Sequence, residues 1–195
     1  MIAVWVVIAV VAVLMLYVVV HFNGLVRLRT RTQEAWSEID VELKRRHDLI
    51  PNLVSTVQGY ASHERQVFDD VTQARSGAIA ASQTGNPATM AGAEDQLTGA
   101  VQRLMAVAEN YPQLRAADLF LNLQEQLTTT EDKVEFSRRY YNGNVRDFNT
   151  AILRFPTNLF AGSFGFHPFT FFSADGTDRA VPQVSFTPPQ QQTSA

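Results

Sequence analysis

The sequence predicts an all-α protein: an N-terminal helix anchored in a membrane, followed by a bundle of long helices. Three observations carry that expectation. The first 22 residues, MIAVWVVIAVVAVLMLYVVVHF, contain no Asp, Glu, Lys or Arg. Beyond them, apolar residues recur in steps of three and four over most of the chain, the period of one helix face. Strand-like alternation is absent throughout, and the interruptions fall at Gly and Pro turn signals.

The 195 residues are enough for one domain with a real core. They divide into an anchor at 1–22, a helical bundle ending in a Phe-rich cap at 23–172, and a polar tail at 173–195. The balance of 16 Lys and Arg against 19 Asp and Glu, a formal charge of -3, argues against a nucleic-acid partner, which would want a basic surface. With no cysteine there is no disulfide framework, thiolate metal site or cysteine nucleophile.

At about 1.5 Å per residue the apolar run spans roughly 30 Å, the thickness of a bilayer's hydrocarbon. It lacks the charged start, shorter apolar stretch and small-residue cleavage site of a secretory signal, so it reads as a retained span. Its partner is the lipid bilayer. Trp5, Tyr17 and His21 lie towards its ends, where amphipathic rings favour the interface. Just after it, RLRTR places Arg27, Arg29 and Arg31, and by the positive-inside tendency these put the bulk of the chain in the cytoplasm and the N-terminus outside. The same arginines can attract anionic headgroups at roughly 1 kcal/mol each near the surface.

The next stripe runs Leu25, Leu28, Thr32, Ala35, Ile39, Leu43, His47, Ile50, Leu53 and Val57, then Tyr60 with Ala61, Val67, Val71, Ala74 and Ala78, interrupted once at Glu64. Unbroken, residues 24–80 would form a rod of about 85 Å, whose stripe must find partner helices. SQTGNPATM then supplies turn chemistry: Gly85 as a stop, Asn86 as a cap and Pro87 in the first turn of a second helix. That helix shows Met90, Ala93, Leu97, Val101, Leu104 and Ala108 at its stripe and is interrupted at Pro112. A last helical pattern runs from Leu119 and Phe120 to Phe155 and stops at Pro156. Within it TTTE, Thr128–Glu131, has capping-box spacing and equally allows a split or a continuous helix.

Residues 155–172 hold seven of the chain's thirteen phenylalanines, with two glycines and two prolines. Such a segment fits an irregular cap closing the bundle with buried rings. An interfacial membrane segment or a contact between protomers also fits, with Phe160, Phe164 and Phe166 as contact candidates. The tail turns polar and ends in TPPQQQTSA, without charge or periodicity, which predicts disorder.

No residue nominates itself for catalysis, cofactor binding or metal binding. A carboxylate-bridged metal site in a bundle needs Glu three residues before His, and those positions hold Val18, Lys44, Tyr60 and Phe164. HERQV at His63 lacks the second histidine of a zinc-protease motif, and no GxSxG, GxxxxGK or GxGxxG occurs. The basic triplet Lys44, Arg45 and Arg46 lies about 30 Å beyond the span on a straight helix, past the reach of headgroup charge at physiological salt. Its pairing with Asp40 and Glu42 at i, i+4 explains it as a solvated face; contact with a partner protein is the alternative. Pro51 removes the hydrogen bond to the carbonyl of His47 and bends the axis, yet the stripe stays in phase on both sides. That favours one kinked helix over two joined by a loop.

Together FNGLV at the span's exit, AWSEIDVELKRRHDLIPNLVSTVQGYASHE from Ala35, YPQLRAADLFLNLQEQL from Tyr111 and RRYYNGNVRDFNTAILRFPTNLFAGSFGF from Arg138 resemble the LemA family over about residues 20–172. The resemblance implies a single-pass membrane protein whose bundle is antiparallel, up-and-down and of the four-helix kind, with a very long first helix. It implies no established enzymatic activity, no catalytic residues and no cofactor. Since the family includes magnetosome-membrane relatives, a membrane-organising role enters beside the leading expectation. That leading expectation is a non-enzymatic interaction or scaffold protein of the plasma membrane, working as a homo-oligomer or with other membrane proteins. An enzyme with an unrecognised site is the third alternative.

Overall fold

The computed structural model describes residues 1–173, and the tail beyond, for which the sequence predicts disorder, lies outside the described residues. The helices are α1 (Ile2–Gln58), α2 (Arg65–Gln83), α3 (Pro87–Glu109), the single turn α4 (Pro112–Arg115) and α5 (Asp118–Leu153). Two 3₁₀ turns follow, at Thr157–Leu159 and Gly162–Phe164, and no strand occurs among the described residues.

α1 carries the span and the first bundle helix as one piece of 57 residues, and it passes through Pro51 without a break. The expectation of one helix through Pro51, rather than two joined by a loop, therefore holds. The 24–80 rod does not form. After Gln58 the chain turns at Gly59, where the Tyr60 and Ala61 amides both donate to the Val57 carbonyl at 3.0 and 2.9 Å, and Glu64 becomes the residue before α2. The single charge that interrupts the stripe thus marks a reversal, with Ala61 buried at the bend. At the next reversal Gly85 takes a left-handed φ of 64°, open to a residue without Cβ. Asn86 Oδ1 accepts from the Ala88 and Thr89 amides at 2.9 and 3.3 Å, capping α3 as its sequence predicts. α5 runs straight through TTTE, with the Thr128 and Thr130 hydroxyls donating back to the carbonyls of Gln124 and Gln126.

Three buried clusters show the directions of the helices. Furthest from the span, Ile50, Leu53 and Val57 of α1 meet Phe68, Val71 and Ala78 of α2, Leu97, Leu104 and Ala108 of α3, and Phe120, Leu123 and Leu127 of α5, closed by Leu114. In the middle, Ala35, Ile39 and Leu43 meet Ala81, Met90 and Val134 to Val145. Nearest the span, Leu25 meets Phe148, Ile152, Ala161 and Phe166. The helices therefore run up, down, up and down.

Their lengths do not match, and this shapes the lower end. α5 has 36 residues, about 54 Å, and follows α1 down to the span, whereas α2 and α3, with 19 and 23 residues, stop about halfway. The missing partners are replaced by chain. Gly165, at φ 74°, turns the backbone out of the second 3₁₀ turn, and residues 166–172 then climb beside α1 and α5 as an irregular strap. Its Phe166, Phe169 and Phe172 rings face Phe148, Trp36 and their neighbours at centroid distances of 5.1 to 6.2 Å. Asn149 holds the strap in both directions, its Nδ2 donating to the Phe169 carbonyl and its Oδ1 accepting from the Phe169 amide, each at 2.9 Å. Asn142, two turns earlier, does the same for Phe172 at 3.1 and 2.8 Å, and the Tyr141 hydroxyl donates to the Thr170 carbonyl. Burial pushes that phenol up to about 12.

Candidate functional site

The most concentrated chemistry in the bundle lies one turn before Pro51. Arg46 is 2% exposed and has its guanidinium inside the bundle. Nη1 donates to Glu94 Oε2 at 2.8 Å, while Nη2 donates to Thr98 Oγ1 at 2.6 Å and meets Glu131 Oε1 at 2.7 Å. The other Glu94 oxygen stands 2.7 Å from His47 Nε2. Three helices thus contribute: α1 the guanidinium and the imidazole, α3 the buried carboxylate and α5 the half-buried one. Two charges are desolvated together only if each finds hydrogen bonds, and Glu94 divides its oxygens between Arg46 and His47 to that end. Burial raises Glu131's carboxyl above its usual range, against the lowering effect of Arg46, and the nearby Glu94 charge adds to the rise.

Next to this cluster sits the consequence of Pro51. Its missing N–H leaves the His47 carbonyl without a donor from the helix. Arg75 of α2 takes that place, donating through Nε to the His47 oxygen at 2.7 Å. The carbonyl that Pro51 leaves free is therefore held by a side chain from the returning helix.

A hollow of about 480 Å³ opens between α3 and α5, lined by Thr98, Met105, Gln124 and Glu131 among others. Among the described residues, no group of three or more His, Asp or Glu side chains is placed to hold a metal. Another hollow, of about 450 Å³, lies between α1 and α5 beside Val41 and Phe136. There Phe136 and Tyr140 stack with rings 3° from parallel, and Phe136 is 62% exposed.

The basic triplet separates in the structure. Lys44 and Arg45 lie on the surface, and Arg45 meets Glu42 at 3.5 Å. Arg46 turns inward, so it belongs neither to a solvated face nor to a contact with another protein, and Glu42 is not its partner. The reason is register: Arg46 adjoins the stripe at His47 and Ile50, facing α3 rather than water. The Phe-rich candidates divide likewise. Phe166 is buried against Phe148 and Ile152, which corrects its assignment as an outward contact, while Phe160 is half-buried and Phe164 is 53% exposed. Arg27, Arg29 and Arg31 are exposed on α1 just past the span, and Pro51 is exposed.

Residues 35–186 match the LemA family, most of the chain. The chain belongs to the LemA family. Two relatives illustrate its range. Magnetosome protein MamQ of Magnetospirillum gryphiswaldense is 24% identical over 84% of this chain and 70% of its own length. Protein LemA of Metamycoplasma hominis is 28% identical over 80% of this chain and 71% of its own. With one helix among the described residues long and apolar enough to cross a membrane, this LemA-family chain is a membrane-associated helical protein.

Glu94, Glu131 and Arg75 escaped sequence reasoning for this site. One signal was present for Glu94: with Met90 and Leu97 it occupies an i, i+4, i+7 face of α3, a carboxylate where the stripe wants an apolar group. A charge at such a position calls for a partner of opposite sign, and Arg46 is on the equivalent face of α1.

Proposed function

We propose that this LemA-family protein is a non-enzymatic docking scaffold of the cell membrane. A single span holds it, with the N-terminus outside and the bundle, residues 23–172, in the cytoplasm. The arginines at 27, 29 and 31 support this orientation through the positive-inside tendency. Its partners are other membrane proteins or further copies of itself. The observation that carries the reading is the bundle flank, where the Phe136–Tyr140 stack and Val41 stand exposed, with Arg45 one turn above Val41. Exposed aromatic pairs with an arginine nearby are the surfaces that partners use.

The test is a photo-reactive phenylalanine at position 136 in intact membranes, with Ser62 at the far turn as control. Adducts to a defined protein or to a second copy, at 136 and not at 62, are expected. An absence of adducts at both 136 and 140 removes the scaffold reading. A second reading, an oligomer that organises the membrane, is favoured by the relatives named magnetosome proteins. A purified chain that stays monomeric in mild detergent at high concentration would sink it.

A further inference from the structure

The lowest part of the bundle carries apolar side chains that nothing else in the bundle covers. Leu153, Phe155 and Leu159 are 72, 80 and 70% exposed, and Phe164 joins them from the second 3₁₀ turn. In a bundle that buries Ile152, Ala161 and Phe166 from the same stretch, this is a divided segment, with one side built into the core and the other left open. An apolar patch of this kind marks an interaction surface.

Its height is set by α1. Phe22, the last apolar residue of the span, stands edge-on to Phe164 and Phe166 at 5.2 and 5.5 Å. The open side of the segment therefore begins at the level where the apolar run ends, rather than 30 Å away as the basic triplet does. The surrounding charge has one sign. Within residues 21–33 and 142–173 there are five arginines, at 27, 29, 31, 146 and 154, and a single carboxylate, Asp147. Arg27 lies about 7 Å along the helix from Phe22, within a Debye length of the headgroups.

We infer that the turn formed by residues 153–164 is a second membrane contact, seated in the boundary between headgroups and acyl chains of the cytoplasmic leaflet, with Leu153, Phe155, Leu159 and Phe164 in lipid and Arg27 and Arg154 among anionic headgroups. The bundle is then held to the bilayer at two places, the span and this foot. The occupant is lipid because the patch is continuous with the established span and edged by arginine, the arrangement of interfacial anchors. The inference rests on the span, and not on the scaffold reading.

The chain has no cysteine, so single cysteines can carry an environment-sensitive fluorophore. Labels at Phe155→Cys and Leu159→Cys replace exposed side chains and leave the core intact, with Val10→Cys in the span and Ser62→Cys at the far turn as references. Full-length protein is placed at one copy per nanodisc in mixed phosphatidylcholine and phosphatidylglycerol. The expected result is strong quenching of the 155 and 159 labels by lipid-borne nitroxide, weak quenching by iodide, and the reverse at 62. Iodide access at 155 and 159 with Val10 still quenched from the lipid overturns the foot and leaves the span. An unquenched Val10 overturns both. Shielding at 155 and 159 that appears only with several copies per disc would place the patch against another protomer and likewise end the proposal.

Discussion

The upper and lower parts of the bundle solve the same packing problem in different ways. Above, four helices enclose a core and bring charge into it; below, two helices share a core with an irregular strap and keep it aromatic. The upper part is closed by side chains that need one another, Arg46 with Glu94 and Arg75 with the His47 carbonyl. The lower part is closed by backbone held on two asparagines and by rings that pack on rings. Directional partners make the first arrangement intolerant of single losses, since a buried charge left alone cannot relax. Ring packing makes the second more local and more forgiving.

The largest effect expected follows from breaking the upper arrangement alone. Glu94→Ala takes the buried carboxylate from Arg46 and His47, leaving Arg46 only the half-buried Glu131 and the Thr98 hydroxyl, and should cost about 3 kcal/mol of unfolding free energy. Replacing Arg46, His47 and Glu94 together with apolar residues of like volume should cost far less, and denaturant titration in detergent reads both. A triple variant as unstable as Glu94→Ala would show that the cluster does more than satisfy its own charges.

A smaller and more local change is expected below. Asn149→Ala removes both hydrogen bonds to Phe169, for about 1–3 kcal/mol if its amide and carbonyl find no other partner. Hydrogen exchange should quicken at residues 166–172 and stay unchanged in α2 and α3. Loss of protection throughout the bundle would mean that the strap is not a separate unit.

The smallest effect concerns Glu131 and pH. Burial holds its carboxyl above the ordinary value of 4.5, so the folded chain binds this proton more tightly than the unfolded chain does. Stability from this group is full below the ordinary value and is lost as pH rises through the raised one. Thermal melts of Glu131→Gln should therefore fall less steeply than wild type as pH rises from about 4.5. Parallel profiles would show that Arg46 neutralises the carboxylate fully.

Much of this was legible in the chain. The span, the stripe, the Asn86 cap and the Gly85 stop each express a rule that acts within a few residues. The reversal at 59–64 was written more faintly, as one glutamate in an apolar stripe, because periodicity shows a helix face without showing whether the helix continues. Arg46 was misjudged for a related reason: Glu42 is near in sequence, but Glu94 and Glu131 are near in space. The asparagines at 142 and 149 share one face of α5, two turns apart, and only the strap's path reveals why.

Because α1 has no joint between the span and the bundle, the molecule has the mechanics of a mast. From Leu25 to Gln58 it rises about 50 Å, so a tilt of about 10° in the bilayer would carry its far turn sideways by about 9 Å. A change of membrane thickness that tilts the span would therefore arrive at the top of the bundle as a displacement larger than the width of a side chain.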